Sequence, residues 1–560
     1  MIAKGGLRMS RWTATSIADN IHSFLHGTHL ILVSNREPYI HRWHRQALLD
    51  PASKDPSAPE TVRWNFDWAL RFAARVSYLL RSGEGTRWTH AAGGLTSALD
   101  PVMQACHGTW VAWGSGNADH ETVDANDRVR VPPNNPQYTL RRVWLSETQI
   151  RGFYYGFANS ALWPLCHLQL ERTLFKPLHW RHYQEVNEQF AETVAQECQD
   201  HPATVWVQDY QLALCPQYLR RRLPDLFIMH FWHIPWPPWE LYRVCPWRRE
   251  LLEGLLGNDL LGFHLDQYCQ NFLQCAERVL GANVDLKAGV VEYEGRETWV
   301  RPYPISIDYD WWTGLARQRR MPRRLAQLRA TSELAFPIVG LGVDRLDYTK
   351  GIVSRFQAIE RFLEKYPEYQ GRFCFVQIAV PSRTQIDEYR QVKEQIESLV
   401  ERLNSRFGTD TYKPIHYRYE HLEPPELVVY YRLADFAMVS SLHDGMNLVA
   451  KEFVASQVER KGVLICSEFA GAAEELDNAL LINPYDVESV ADTLKQAIEM
   501  SAEERTHRMA RLQEHVSEHN IFKWLAAIFT EFDRIRGERH GDALASIESP
   551  QSGAAGPLHP

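Results

Sequence analysis

Two short runs in the C-terminal half of the sequence place charge where a diphosphate can be gripped. In GLGVDRLDYTKG a β-rich stretch ends at Val343, and Asp344, Arg345, Asp347 and Lys350 follow before a helix begins near Ile352. Backbone N–H groups at a helix start favour anions, and cationic side chains beside them form a clamp for phosphate oxygens. On spacing alone, a solvated loop closed by a salt bridge fits as well. The second run, HDGMNLVAKE at 443–452, follows the stretch DFAMVSS. It puts Asp444 at the mouth of a sheet and the amides of Met446–Leu448 at a helix start. Glu452 lies on that helix, able to point into a cleft and accept from ribose hydroxyls. The plainer alternative for Glu452 is an exposed helical carboxylate paired with a lysine.

The N-terminal half offers polar groups at comparable places. Arg36 ends the first strand and Gly93-Gly94 opens a helix, a pairing that can hold one phosphate. The strand ends Val207–Asp209 and Trp232–His233 bring an acid and an imidazole to one sheet edge, where they are candidates to hold sugar hydroxyls. Single Asp and His residues at strand ends also serve structure, and that alternative stands. Arg383, in VPSRTQ after another strand, is a further cation facing the same cleft. Tyr154 and Trp163, in FYYGFANSALWP, can wall a sugar by stacking or pack in the core.

These groups need a scaffold that gathers strand ends. From about Phe336 the sequence alternates β-rich runs (FPIVGLGVD, RFCFVQIAV, DFAMVSS, GVLICSE, ALLINP) with amphipathic segments, the pattern of βα units around a parallel sheet. Ile386, Tyr389, Lys393, Ile396, Val400, Leu403 and Phe407 follow helical spacing, apolar at all but one position, and Asp486 is a plausible N-cap before Val487. The N-terminal half supplies THLILVSN, TWVAWGS, TVWVQD, FIMHFWH and DLLGFH as strands, with a long helix near 182–198. Two alternating halves predict two domains that exchange the chain within 303–330, with the active site in the cleft between them. Residues 41–92 predict a loop and then one helix, lengthening an N-terminal lid. The Pro-, Gly- and Ser-rich end predicts a disordered tail.

The bulk numbers bound the rest. A chain of 560 residues with 45% hydrophobic and 23% charged residues fits two globular domains. A net charge of −8 gives no global attraction to nucleic acid or an anionic membrane, so any anion site is local. Without an apolar run long enough to span a bilayer or a signal-peptide core, a cytoplasmic location is expected. Nine cysteines without a CxxC pair, and histidines without HExxH or HxH spacing, indicate buried thiols and no metal site.

The runs VSNR, GGL, YY-x-x-x-N-x-x-LWP, DY after a strand, HIPWP, LLGFH, VDRLDYTKG, PSR, DGMNLVAKE and SEFAGAAEEL occur in this order over residues 31–476. In this set the sequence resembles the trehalose-6-phosphate synthase family. The resemblance implies an α/β, GT-B fold: two Rossmann-like domains with parallel sheets facing an interdomain cleft. It implies an N-terminal extension over 1–27, an acceptor domain over 28–305 and a donor domain over 306–520. A helix over 521–537 is a candidate to cross back, and the tail covers 538–560.

The activity implied is retaining transfer of glucose from UDP-glucose to glucose 6-phosphate, with no resident cofactor and no metal. By the same resemblance Arg345 and Lys350 bind the donor diphosphate, Gly94 approaches it from the lid, and Asp444 contacts the donor glucose. Glu452 takes the ribose hydroxyls beside the amides of Asn447, Leu448 and Val449. Arg36, Tyr154, Trp163 and Arg383 hold the acceptor, and Asp209 and His233 line the reaction centre. The partners expected are these small molecules, neither nucleic acid nor membrane, and a homo-oligomer is left open.

Departures from the family pattern bear on substrate choice. Gln208-Asp209-Tyr210-Gln211 stands where the family often has His-Asp-Tyr-His, and His443-Asp444-Gly445 where it often has Arg-Asp-Gly. Glucosylglycerol-phosphate synthesis on the same fold, another nucleotide-glucose donor, and a non-catalytic sugar-phosphate sensor are the alternatives. A nicotinamide oxidoreductase fails on detail, because the third glycine of GxGxxG after Gly340 and Gly342 would fall at Arg345. No DxDxT run follows the synthase-like region, so the product is expected to leave still phosphorylated.

Overall fold

The computed structural model describes residues 11–43, 86–90, 94–199, 201–331 and 334–548. Of the loop and helix expected within 41–92, only 41–43 and 86–90 are among them, and both are strand. Gly93 and the end of the tail also lie outside the described residues.

The strands in chain order are β1 (His29–Arg36), β2 (Tyr39–Trp43), β3 (Thr86–His90), β4 (Thr109–Trp113), β5 (Arg128–Val131) and β6 (Tyr138–Val143). They continue as β7 (Ala203–Gln208), β8 (Phe227–Phe231), β9 (Leu260–Phe263), β10 (Asn283–Asp285), β11 (Val290–Tyr293) and β12 (Arg296–Pro302). The last group is β13 (Ile338–Arg345), β14 (Phe373–Val380), β15 (Ile415–Arg418), β16 (Phe436–Val439), β17 (Val463–Ser467) and β18 (Leu480–Ile482). Each apolar run read as a strand from the sequence is one.

The first sheet has the order β10-β11-β12-β9-β8-β7-β1-β4-β6-β5 and the second β15-β14-β13-β16-β17-β18, while β2 and β3 pair as a separate ribbon. The second sheet is parallel throughout. In the first, antiparallel pairing occurs only towards the edges, β10 with β11 and β11 with β12 on one side and β5 with β6 on the other. The central strands β8 and β9 are buried along their whole length, as expected where helices cover both faces of a parallel sheet.

Ligands gather at the carboxyl ends of parallel strands where the strand order reverses. In the first sheet the reversal is at β1, flanked by β4 and β7; in the second it is at β13, flanked by β14 and β16. Arg36 is the last residue of β1, and the loops that leave β7, β13 and β16 carry Asp209, Lys350 and Asp444. β13 runs to Arg345, which pairs with Val380, rather than ending at Val343, so Arg345 is the last residue of a strand and not part of a loop.

Local chemistry fixes the turn after β13. Asp347 Oδ1 accepts from the Thr349 amide at 3.0 Å and caps the turn Tyr348–Lys350. Gly351 then takes φ +64°, and a Cβ there would collide with the Ser440 carbonyl, so only glycine lets this loop lie against the one after β16. The Leu442 amide donates to the Thr349 carbonyl at 2.8 Å and joins the two loops. Beneath them Arg355, on the helix Ile352–Lys365, donates to Asp344 Oδ2 and Gln377 Oε1, both at 2.6 Å, and to Ser440 Oγ at 2.9 Å. Asp344 thus braces the scaffold.

The chain passes between the sheets near 303–307 and again near 520. At the second passage the Ile521 amide donates to the Ile307 carbonyl at 3.0 Å, and Trp524 Nε1 to the Tyr303 carbonyl at 3.1 Å. The helix Ile521–Glu548 packs on the first sheet through Trp524 and Phe529 against Trp206 and through Phe532 against Phe227. It continues past Gly537, so 538–548 is helical rather than disordered. The helix Pro177–Glu197 likewise begins before the expected 182. All nine cysteines are free, with Cys106 and Cys198 partly exposed rather than buried. Among the described residues no helix is long and apolar enough to cross a membrane.

Candidate active site

On the second sheet's side, three donors converge on one oxygen of Asp444. Lys350 Nζ lies at 2.5 Å from Oδ2, Ser441 Oγ at 3.1 Å and Asn447 Nδ2 at 3.2 Å. Burial opposes ionisation of Asp444, but the Lys350 charge and hydrogen bond overcome it and hold the carboxyl far below the usual range. Asn447, at φ 95°, caps the helix Leu448–Ser456 by accepting from the Ala450 amide, so the amides of Leu448 and Val449 stand at a helix start. One turn on, Glu452 accepts from the Tyr431 hydroxyl at 2.9 Å instead of pairing with a lysine, and burial pushes it up to about 7. Its neighbour Lys451 pairs instead with Glu475.

On the first sheet's side, Arg36 donates to the Tyr154 hydroxyl at 3.4 Å. Tyr154 sits on a π-helix, Ile150–Leu162, whose wide turns are visible in side-chain bonds five residues back, from Asn159 to the Tyr154 carbonyl and from Ser160 to that of Tyr155. Such turns are rare and concentrate at functional sites. Burial alone would raise the Tyr154 phenol, yet the charges of Arg36, Arg383 and Arg345 outweigh it and pull the phenol down to about 8. Trp163 is buried, with Arg383 over its ring at 3.9 Å, Arg345 at 5.4 Å and the His167 ring at 4.0 Å. It is a platform for cations, a use the sequence did not suggest.

Between these groups lies Asp209, immediately after β7. Its backbone (φ 70°, ψ 172°) occupies a region that essentially only glycine visits without strain. The Tyr210 and His233 amides both donate to Oδ1, at 2.9 and 3.2 Å. Burial lifts the carboxyl to about 6, with those amides and the Arg345 charge limiting the rise. His233 Nε2 meets Gln208 Oε1 at 3.0 Å. Burial, then His264 and His230, depress its pKa well below the usual value, so the ring is neutral near pH 7. Contacts between the two sides close the floor: the Tyr268 hydroxyl donates to the Asp444 carbonyl at 3.4 Å, and Arg383 donates to the Tyr210 hydroxyl at 3.1 Å. Among the described residues no group of His, Cys, Asp and Glu is placed to hold a metal ion.

Arg36 and Arg345 thus stand at the ends of the strands where the order of each sheet reverses. The family model for glycosyltransferase family 20 matches residues 68–534. The chain belongs to this family. Trehalose-6-phosphate synthase of Mycobacterium avium (strain 104) is 42% identical over 447 residues, 78% of this chain and 89% of that protein. The Mycolicibacterium smegmatis enzyme of the same name is 39% identical over 515 residues, 90% and 97% of the two chains. Among solved structures, the E. coli protein bound with UDP-2-fluoro glucose superposes with TM-score 0.75 at 30% identity, over 90% of this chain and 99% of that one. An α,α-trehalose-phosphate synthase (UDP-forming) from Burkholderia xenovorans in complex with glucose-6-phosphate gives 0.74 at 28%, with the same coverage. The fold is GT-B, with two Rossmann-like domains.

Within this family 20 member, Arg36 meets Tyr154, Arg345 and Arg383 lie over Trp163, Lys350 and Asn447 meet Asp444, and Asp209 feels the Arg345 charge. His233 joins them through Asp209, and Glu452 stands one helical turn from Asn447. Gly94 is the first residue of the helix Gly94–Cys106. Sequence reasoning missed Tyr431 and Ser441, and it gave no role to Asn159, His167 or Tyr210. Asn159 and Tyr210 do stand inside the runs quoted above, so position within a run was their signal. His167 and Tyr431 carried none.

Proposed function

We propose that this glycosyltransferase transfers glucose from UDP-glucose to glucose 6-phosphate with retention, giving α,α-trehalose 6-phosphate and UDP. The observation that carries the reading is a pair of cation groups in one cleft: Arg345 with Lys350 for a diphosphate, and Arg36 with Arg383 around Tyr154 for a phosphate monoester. In this reading 28–305 is the acceptor domain and 306–520 the donor domain. Glu452 takes the ribose, Gly94 and the Leu448 and Val449 amides complete the donor site, and Asp444 holds the donor glucose.

In the reaction, the bond from the sugar C1 to the β-phosphate oxygen breaks with its electron pair passing to phosphate. The acceptor hydroxyl oxygen bonds to C1 on the same face, and its proton passes to that phosphate oxygen. Arg345 and Lys350 stabilise the departing charge, a contribution of about 10²–10³ in rate for oriented charge stabilisers. Asp209, with Oδ1 fixed by two amides, orients the acceptor hydroxyl, and neutral His233 beside it can exchange hydrogen bonds with the donor sugar.

The test is to incubate purified protein with UDP-, GDP- or ADP-glucose and either glucose 6-phosphate or glycerol 3-phosphate, and to identify the product and its anomeric configuration by NMR. The expected product is α,α-trehalose 6-phosphate from UDP-glucose. Nucleotide release with glycerol 3-phosphate alone refutes the acceptor assignment.

A further inference from the structure

Arg383 does not stand free in the cleft. It follows β14 at φ 45°, a left-handed conformation that a side chain adopts only when its surroundings hold it there. Asp347 Oδ2 accepts from Arg383 at 3.1 Å and from the Tyr389 hydroxyl at 2.9 Å. The other end of the guanidinium crosses the cleft and donates to the Tyr210 hydroxyl at 3.1 Å. Tyr210 in turn donates to Asn159 Oδ1 at 2.7 Å, and Asn159 Nδ2 donates to the Tyr154 carbonyl at 2.7 Å. An unbroken, buried series therefore runs from the loop of Arg345 and Lys350 to the helix that carries Tyr154. Arg383 Nε, also buried, has no hydrogen-bond partner, so one donor is left for an incoming anion.

From this geometry we infer that Asp347 and Asn159, neither of them open to solvent, are positioning residues of the acceptor-phosphate site, acting on Arg383 from opposite sides of the cleft with Tyr210 as the link. The inference rests on the reading of Arg383 as a phosphate ligand. Asp347 is suited to the part, as the acid whose ionised form is favoured by Arg383 first and then by Lys350 and Arg345, against the opposing effect of burial. A guanidinium fixed at two ends and stacked on Trp163 loses little freedom when phosphate arrives. Released from either end, it must be ordered by the ligand itself.

The experiment compares Asn159→Ala, Asp347→Asn and Tyr210→Phe with wild type, each also made in an Arg383→Ala background. Tyr210→Phe guards against a folding failure in Asp347→Asn, since Asp347 also caps its own turn. Steady-state transfer is measured against glucose 6-phosphate and against unphosphorylated glucose. Each single variant is expected to raise KM for glucose 6-phosphate about tenfold, with a smaller change in kcat and no matching change for glucose. In the Arg383→Ala background the same substitutions should add nothing, because they act through that arginine. Equal losses with both acceptors, or undiminished losses without Arg383, overturn the inference and leave the transferase reading intact. If wild type itself makes no product from glucose 6-phosphate, the reading falls and the inference with it.

Discussion

Replacing Lys350 by alanine separates the two things this lysine does. The pair with Asp444 is almost wholly buried, with side chains 9% and 12% exposed. Removing the cation leaves a desolvated carboxylate held by Ser441 and Asn447, neutral donors alone. Breaking a buried pair from one side is worth about 3–5 kcal/mol, or a fall in melting temperature of roughly 6–20 °C for a domain near 200 residues. The sign with pH follows from the depressed Asp444 pKa. Stability from this carboxylate is present above the unfolded value of about 3.9 and is lost only as pH falls through the folded one. The variant is therefore weakened throughout the neutral range. Transfer should fall by about 10²–10³ in kcat, read as UDP release from UDP-glucose with saturating glucose 6-phosphate. Adding Asp444→Asn removes the stranded charge, and the double variant should recover most of the lost melting temperature and none of the activity. If Lys350→Ala melts early yet retains transfer within a factor of about ten, the lysine is only a structural counter-ion, and the diphosphate clamp is wrong.

Glu452→Gln should raise donor KM about tenfold or more, by loss of charged hydrogen bonds to ribose. Wild-type donor KM should itself rise as pH drops through about 7, where this carboxylate takes up a proton. Because its folded pKa is raised, its contribution to stability is complete below the unfolded value and is lost as pH rises through about 7; Glu452→Gln should then melt no earlier than wild type at pH 8. Asp209→Asn should lower kcat by about 10²–10³ and abolish an acid limb of kcat/KM centred near 6, seen in a pH–rate profile. An unchanged limb would assign it to another group. Ending the chain after Asn520 exposes the apolar surfaces that Trp524, Phe529 and Phe532 cover, each worth about 1.5–3 kcal/mol. The truncated protein should lose its cooperative thermal transition by circular dichroism.

Ten of the parallel strands were legible because they are written as apolar runs such as FAMV and LLGF, whereas β6, β12 and β15, parallel but with polar residues interspersed, gave no such signal. β5, β10 and β11 were not legible either, since these strands at or beside the sheet edges are short and half polar. Arg345, Lys350 and Asp444 could be read because motif and topology coincide where the strand order reverses. What could not be read were the bonds across the cleft: nothing in a single run says that Tyr210 meets Arg383, or that Tyr431 rather than a lysine meets Glu452. The π-helix was equally hidden, because its residues are ordinary and only the packing of Asn159 and Ser160 shows the widened turn.

The paired crossings at 303–307 and 520–521 limit how the cleft can gape. Two adjacent tethers bonded to one another behave like the pins of a door, allowing a swing about the line through them while resisting slip of one leaf along the other. Lys451 Nζ, at 2.9 Å from the Ile305 carbonyl, fixes that line to the very helix that carries Glu452. On the proposed assignment of Glu452 to the donor ribose, the donor site is thereby tied to the crossing itself, while Arg36 and Tyr154 stand on the other sheet's side.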